Sequence, residues 1–212
     1  MKPVVVGLNL GKNKLSEDPV EDYIQGMKTF GDCPYIDYLV VNISSPNTPD
    51  LREIQSQERI EPFLDQILSA KAKLNITKPL LLKISPDLDD ESKRHIAKII
   101  SKPRKHQSKI DGLIVSNTTT SRPSTLKSEN SSESGGLSGA PLKDLSTKMI
   151  KEMYQLTKGR VPIIGVGGVQ SANDAYEKLR AGASLVQIYT ALAYRGPLVV
   201  SSLASELSQL IR

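Results

Sequence analysis

Sulfur and aromatic side chains are scarce in this sequence, and each shortage excludes a class of protein. The chain of 212 residues has a single cysteine, Cys33, so it has no internal disulfide and no site built from several thiolates. Tryptophan is absent, and aromatic residues make up only 4% of the chain. Proteins that bind nucleic acid through a basic stripe usually carry aromatic residues between the basic ones. We therefore expect no nucleic-acid partner, although the formal net charge is +5.

Long hydrophobic runs, targeting segments and common catalytic motifs are also missing. The apolar stretches are the length of a strand, and the first residues lack the pattern of a signal peptide or presequence, so we expect any membrane or organelle address to come from outside this chain. Of the two histidines, His95 falls in a predicted helix and His106 in a basic turn, 102–106, so neither is a candidate for catalysis. No HExxH, GxSxG or Walker sequence occurs, and we expect no metal site.

Six short apolar runs predict β-strands. Each run is continuous rather than alternating, which is typical of strands covered on both faces in a parallel sheet. The segments between them have the apolar period of helices, and residues 171–174 form a capping-box start for one of them. Strict alternation of strand and helix indicates an α/β fold. The predicted strands are 4–8, 38–41, 80–84, 112–115, 162–166 and 185–189.

Two topologies fit this alternation, an open doubly wound sheet and a closed barrel of eight β/α units. Two phosphate-type signals favour the barrel. The glycine turn 165–168 precedes a capped helix, and the next predicted strand ends in Tyr189 and Thr190. Phosphate binding near the C-terminus by two consecutive strand ends is the arrangement of strands 7 and 8 in a (β/α)8 TIM barrel. The six strands therefore predict an incomplete TIM barrel with strands 3 to 8 present.

Polar residues that follow three of the predicted strands form the candidate site. Segment 42–49, Asn-Ile-Ser-Ser-Pro-Asn-Thr-Pro, is rich in hydrogen-bonding side chains, although an ordinary Asn/Ser/Pro turn explains it equally well. Lys83 interrupts the apolar run 80–84, and a lysine in a buried strand requires an anion or a polar ligand to offset its desolvation. Residues 117–120 add further amides and hydroxyls. These groups favour a small, planar, polar ligand.

Seven blocks of sequence, in order over nearly the whole chain, resemble the class 2 dihydroorotate dehydrogenases. They include the polar loops after the second, third and fourth predicted strands, the glycine turn, and the end of the last strand. The blocks are 9–14, 42–49 with Leu51 and Arg52, 82–88, 116–119 with 121–123, 135–139, 164–169 and 187–191.

This resemblance implies a flavoprotein TIM barrel that oxidises dihydroorotate to orotate in pyrimidine biosynthesis and passes the electrons through FMN to a membrane quinone, ubiquinone. It also implies that Ser45 is the catalytic base. Class 1 enzymes carry cysteine there, so serine favours a quinone over fumarate or NAD as acceptor. Ser116 stands where the family usually has threonine. The implied FMN-binding residues are Asn9, Asn42, Lys83, Ser116, Gly139, Gly168, Tyr189 and Thr190, and the implied orotate-binding residues are Asn42, Asn47, Asn117 and Thr118.

The family reaction gives these residues separate tasks. By resemblance, Ser45 removes a proton from C5 of the substrate while a hydride leaves C6 for flavin N5, and Thr48 helps to relay the proton. Lys83 is expected to face the pyrimidine edge of the flavin, where its charge stabilises the reduced anion. The glycine turn, Tyr189 and Thr190 are expected to hold the FMN phosphate.

Some parts of the family pattern have no counterpart in these 212 residues. They are the first two barrel units, an Asn-Arg-x-Gly-Phe-Asn substrate loop, and the N-terminal helices that contact quinone and membrane. We therefore expect residues 1–212 to be the C-terminal portion of a catalytic barrel, with little or no quinone-linked activity alone. The family implies the mitochondrial inner membrane in eukaryotes and the cytoplasmic face of the inner membrane in bacteria.

Two other functions remain open on the residues alone. One is a different phosphate-binding barrel, such as an isomerase that uses only the site at Gly167 and Gly168, although no acidic catalytic pair is evident at the strand ends. The other is a non-catalytic partial barrel that acts as a binding or regulatory module.

Overall fold

The fold is known from a computed structural model that describes residues 4–48, 50–102 and 109–211. Most of the basic turn 102–106, including His106, and residue 49 of the polar loop lie outside the described residues. Six parallel strands form one sheet in sequence order, which confirms an α/β fold and an incomplete (β/α)8 barrel. The strands are β1 (Gly7–Leu10), β2 (Tyr38–Asn42), β3 (Leu80–Ile84), β4 (Gly112–Val115), β5 (Ile163–Val166) and β6 (Leu185–Gln187).

Helices follow the strands and cover the outer face of the sheet. Asp18 begins α1 by accepting from the amides of Val20 and Glu21, and Ser171 and Asp174 form the predicted capping box of α5. None of the helices in the described ranges is both long enough and apolar enough to cross a bilayer. The helices are α1 (Pro19–Phe30), α2 (Gln57–Lys73), α3 (Asp90–Ser101), α4 (Lys143–Leu156), α5 (Ala172–Arg180), α6 (Thr190–Arg195) and α7 (Leu198–Leu210), with 3-10 turns at Leu51–Gln55, Glu129–Ser132 and Ala140–Leu142.

The four central strands are buried on both faces, as their continuous apolar runs predict. Outward side chains, such as Leu82 and Leu113, pack in the large core beneath the helices. Inward side chains of β2 to β5 form a second, smaller cluster inside the curve of the sheet, made by Val40, Leu81, Ile114 and Ile164. The parallel register places Val40 beside Leu81, so neighbouring strands present the same face.

The two outer strands differ from the prediction of burial on both faces. Each pairs with one neighbour in the described sheet, and Leu185 at the start of β6 is 62% exposed. The sheet ladder of β1 begins at Gly7 rather than at residue 4: Val6 accepts from the Asp37 amide and donates to the Asp37 carboxylate, and Val4 and Val5 before it are exposed. At the other edge β6 ends at Gln187 rather than at 189, because Tyr189 has left the extended conformation and precedes α6.

Candidate functional site

A cavity of about 740 Å³ lies at the carboxyl ends of strands β2 to β6. This volume is in the range of small-molecule and cofactor pockets, and the location is where TIM barrels carry their active sites. The structure therefore brings the loops predicted from the sequence to one place. The predicted site residues that line the cavity are Ser45, Asn47, Lys83, Ser116, Asn117, Thr118, Gly139, Gly168, Tyr189 and Thr190.

Two predicted residues, Asn9 and Asn42, are outside the cavity wall. Asn42 lies directly behind it at the end of β2, and its Oδ1 accepts from Nδ2 of Asn117 at 3.2 Å. Asn9 is exposed on β1, in register with Val40, and the structure does not bring it to the cavity. The reason is geometric, because the cavity begins at the loop after β2 and Asn9 belongs to the strand before it.

Hydrogen bonds fix the amide orientations on the substrate side of the cavity. Ser44 is fully buried and donates from Oγ to the Lys83 carbonyl at 2.9 Å, while its backbone N–H donates to Asn42 Oδ1 at 3.2 Å. Asn117 Nδ2 donates to Asn42 Oδ1 and to Ser44 Oγ, and Asn117 Oδ1 accepts from the Thr118 amide at 2.8 Å. With its oxygen occupied, Asn42 has only its Nδ2 donors left for a further partner.

Lys83 brings a positive charge to the wall of the cavity. Its strand neighbours Leu82 and Ile84 are fully buried, and burial lowers the pKa of the Lys83 ammonium below its ordinary value. Within the described ranges the Lys83 ammonium has no hydrogen-bond or ion-pair partner. A partly desolvated cation without a partner is a site for an anionic or polar ligand, as the sequence predicts.

The glycine turn after β5 has the geometry of a phosphate-binding turn. Gly168 has a φ of +73°, and a Cβ there would lie 2.5 Å from the Lys143 Cα, so no other residue fits without movement of α4. The turn leads into the N-terminus of α5, whose partial positive charge favours an anion. Thr190 completes this side, since its Oγ1 donates to Ser138 Oγ at 3.2 Å next to Gly139.

Ser45, the predicted catalytic base, lines the cavity and is half-buried. Its Oγ accepts from the Asn47 amide at 3.3 Å. An N–H directed at this oxygen stabilises negative charge on it, which favours an acceptor role over a donor role.

Arg52 and Asp87, a residue pair that the sequence does not predict, join these loops. The guanidinium of Arg52 donates to the carbonyl of Ser44 at 3.1 Å and to the carbonyl of Thr118 at 2.8 Å. A third bond, of 2.7 Å, reaches Oδ2 of Asp87. Both residues lie in sequence blocks that carry the family resemblance, but as single polar residues in loops they carry no periodicity that predicts contact.

Asp87 is the acceptor at the centre of this network. Its carboxylate accepts from the hydroxyl of Thr119 and from the amide of Thr120, the latter at 2.9 Å. Burial alone would raise its pKa, but these hydrogen bonds and the charge of Arg52 hold the pKa of Asp87 below its ordinary value. The carboxylate therefore stays charged and keeps the loop after β4 in place.

These features define an incomplete α/β barrel with a ligand cavity at its strand ends, which has a phosphate-type turn, a partly desolvated cation and oriented amides. The model of the dihydroorotate dehydrogenase family matches residues 1–211, and the chain belongs to that family. The family predicted from the seven sequence blocks is thus confirmed.

Relatives occur in mitochondria and in bacteria. The chain is 50% identical over 209 residues to the mouse protein named dihydroorotate dehydrogenase (quinone), mitochondrial. The match covers 98% of this chain and 51% of the mouse protein. The chain is 44% identical over 210 residues to the Azorhizobium caulinodans protein named dihydroorotate dehydrogenase (quinone). That match covers 97% of this chain and 57% of the bacterial protein. A crystal structure of DHODH from Eimeria tenella in complex with ferulenol matches with a TM-score of 0.88 and 40% identity, over 98% of this chain and 58% of that one. The chain spans about half the length of the curated relatives it matches.

Proposed function

We propose that the cavity binds FMN and dihydroorotate, and that these residues contribute to the oxidation of dihydroorotate to orotate with a quinone as acceptor, in pyrimidine biosynthesis. The observation that carries the proposal is the convergence, in one cavity of about 740 Å³, of an unpartnered ammonium, a phosphate-type turn and oriented amides. Relatives that bear the name dihydroorotate dehydrogenase (quinone) support the substrate and the acceptor.

The residues present fit FMN. The amides of the turn at Gly168 and the hydroxyl of Thr190 suit the phosphate, and Gly139 leaves room beside them. Lys83 and Ser116 also line the cavity, where the ring system would lie. When bound, FMN supplies the hydride acceptor of the reaction. Lys83 then stabilises negative charge on the ring edge that it faces.

Dihydroorotate fits the amide end of the cavity. Its pyrimidine ring alternates carbonyl acceptors with N–H donors, and an asparagine side chain offers both kinds of group. Asn117 lines the cavity and is held by bonds on both its oxygen and its nitrogen, and Asn42 directly behind it has only its N–H donors left to offer. Asn47 and Thr118 complete the contacts. A ring fixed in this way is held in the orientation that proton and hydride loss require.

Ser45 removes the substrate proton in this proposal. The Asn47 amide, 3.3 Å from Ser45 Oγ, helps the oxygen to carry charge as the proton arrives from the substrate's C5 atom. By family resemblance, Thr48 passes the proton on.

The quinone acceptor links the proposed reaction to a membrane. We infer the mitochondrial inner membrane for a eukaryotic chain and the cytoplasmic face of the inner membrane for a bacterial one, since relatives of both kinds carry the quinone name. Contact with the membrane is assigned to the additional sequence of the longer relatives, and residues 1–212 are proposed as the C-terminal portion of the catalytic barrel.

The experiment places these residues in a complete barrel. Residues 1–212 replace the aligned half of the mouse relative, and dihydroorotate-dependent quinone reduction is measured for the chimaera with Ser45→Ala and, as a control, Ser56→Ala. Ser56 is exposed, and its side chain makes no capping bond. We expect Ser45→Ala to abolish turnover with flavin still bound and Ser56→Ala to leave turnover unchanged. Unchanged turnover in Ser45→Ala disproves the assignment of the base.

A further inference from the structure

Lys178 is a fully buried lysine outside the cavity. It lies in α5, and its ammonium donates to Ser146 Oγ and to Thr147 Oγ1 of α4, both at 3.1 Å. Burial lowers the pKa of Lys178 to about 8. A methionine would fill such a position without the desolvation cost of a charge. The charged groups that face the ammonium are Asp174 and Glu177 of α5 and Lys143 and Asp144 of α4.

The Ser146 hydroxyl connects Lys178 to the glycine turn. Ser146 is fully buried, and its Oγ donates to the carbonyl of Val166 at 2.5 Å. Val166 is the residue before Gly167, and its carbonyl also accepts from the Ser116 amide at 3.0 Å. Ser146 also packs against the turn directly, since a Cβ at Gly167 would lie 3.0 Å from the Ser146 Cβ. Lys178, Ser146 and Val166 thus form one chain of hydrogen bonds that ends at the turn.

The donors and acceptors of Lys178 and Ser146 explain why the ammonium determines the direction of the serine hydrogen bond. A charged lysine only donates, whereas a serine hydroxyl has one proton and two lone pairs. Because Lys178 donates into the Ser146 oxygen, the serine proton cannot point at the lysine and is directed at the Val166 carbonyl. Without the ammonium, the hydroxyl of a helical serine can instead turn to the carbonyl one helical turn earlier.

We propose that Lys178 is a positioning residue for the Gly167–Gly168 turn: it fixes the Ser146 hydroxyl as a donor to Val166 and so holds the turn amides in the geometry that a phosphate requires. The inference rests on the proposed function only for the identity of the ligand, FMN. The simpler role, in which Lys178 merely joins α4 to α5, predicts lower stability in variants but no specific effect at the turn.

The experiment uses the 212-residue chain with two readouts. The first is the ratio of the dissociation constants of riboflavin and FMN, which isolates the phosphate. The second, which needs no ligand, is hydrogen exchange of the Gly167 and Gly168 amides, followed by NMR. The variants are Lys178→Met, Ser146→Ala, their double mutant and Thr147→Val. Thr147 is the matched control, because it accepts from Lys178 but donates to Lys143 in its own helix rather than to Val166.

We expect Lys178→Met and Ser146→Ala each to lower the preference for FMN about tenfold, the equivalent of one hydrogen bond, and to speed exchange at the turn. The double mutant is expected to be no worse than either single variant, because the lysine acts through the serine. Thr147→Val keeps both readouts near wild type.

The other outcomes distinguish failure of the positioning role from failure of the proposed cofactor. Unchanged exchange at the turn in Lys178→Met overturns the positioning role, and so does an equal effect of Thr147→Val. If Lys178→Met does not fold, Ser146→Ala decides the question by the same readouts. A wild-type chain that shows no preference for FMN, while its turn responds to the variants, counts against the proposed cofactor and not against the positioning role.

Discussion

Arg52 and Asp87 form an ion pair of 2.7 Å that connects the loops after β2, β3 and β4. The two side chains are only 23% and 19% exposed. Arg52 also binds the carbonyl of Ser44, next to the proposed base Ser45, and the carbonyl of Thr118 on the proposed substrate side. One guanidinium therefore sets the distance between the loop of the base and the loop of the substrate amides.

Replacing Arg52 is expected to cost far more stability than replacing an exposed arginine. Arg52→Met removes the cation that pairs with Asp87 and the donor to two loop carbonyls, so we expect the free energy of unfolding to fall by about 2 kcal/mol or more. The control is Arg59→Met, which breaks the exposed 2.6 Å pair with Glu53 and should cost less than about 1 kcal/mol. Urea unfolding measures both losses, and equal losses would contradict the role of the Arg52–Asp87 pair.

Lys83→Met is expected to separate stability from binding. Removing a partly desolvated charge without a protein partner should raise the melting temperature, while FMN affinity should fall by about tenfold or more because a charge-assisted contact is lost. Lys98→Met, at an exposed position of α3, should change neither quantity. A Lys83→Met protein that is less stable and binds FMN normally would show that the lysine is structural.

Two glycines with the same backbone φ test the phosphate turn. Gly168 and Gly196 have φ values of +73° and +72°, but a Cβ at Gly168 meets the backbone of Lys143 at 2.5 Å while the space around Gly196 is open. Gly168→Ala should therefore cost about 1 to 3 kcal/mol more than Gly196→Ala and should abolish the preference for FMN over riboflavin. Similar costs for the two variants would show that α4 does not pack closely on the turn.

Lys178 makes stability depend on pH in a defined window. Its pKa is about 8 in the folded chain and near its ordinary value of 10.5 when unfolded, so the folded state holds fewer protons between these values. Stability from this group therefore rises from pH 8 to 10.5 and is lost as the pH falls through 8. Relative to Lys178→Met, the wild type should gain up to about 3 kcal/mol across the window. A constant difference between the two proteins would indicate an ordinary lysine pKa.

The sequence predicts the centre of the fold better than its edges. The predicted bounds of β3 and β4 coincide with those observed, because both faces of these strands are buried and each apolar run stops at a serine, Ser85 or Ser116. At β1 the apolar run misleads, since Val4 and Val5 are exposed and the ladder begins at Gly7. An apolar run records hydrophobicity, whereas a ladder also requires a neighbouring strand.

The sequence likewise predicts some features of the site and not others. Residues such as Lys83 and Asn117 are predictable, because a strand end brings them to a known edge of the sheet whatever their partners. The hydrogen-bond networks that hold the site residues in place are not predictable from the sequence. Arg52 lies 35 residues from Asp87, and Lys178 lies 32 residues from Ser146. The sequence signal available for Lys178 is a lysine three residues after Ala175, on the apolar side of α5, but its partners depend on how α4 packs against α5.

The most direct test of the proposed flavin and substrate site is an anaerobic titration of the chimaera that contains residues 1–212. We predict that the purified protein carries one FMN per chain and that dihydroorotate bleaches the flavin absorbance without any quinone present. In the same titration, Ser45→Ala should keep its flavin oxidised. A chimaera that folds and yet retains no flavin, or a loaded chimaera whose flavin stays yellow with dihydroorotate, would contradict the proposed function.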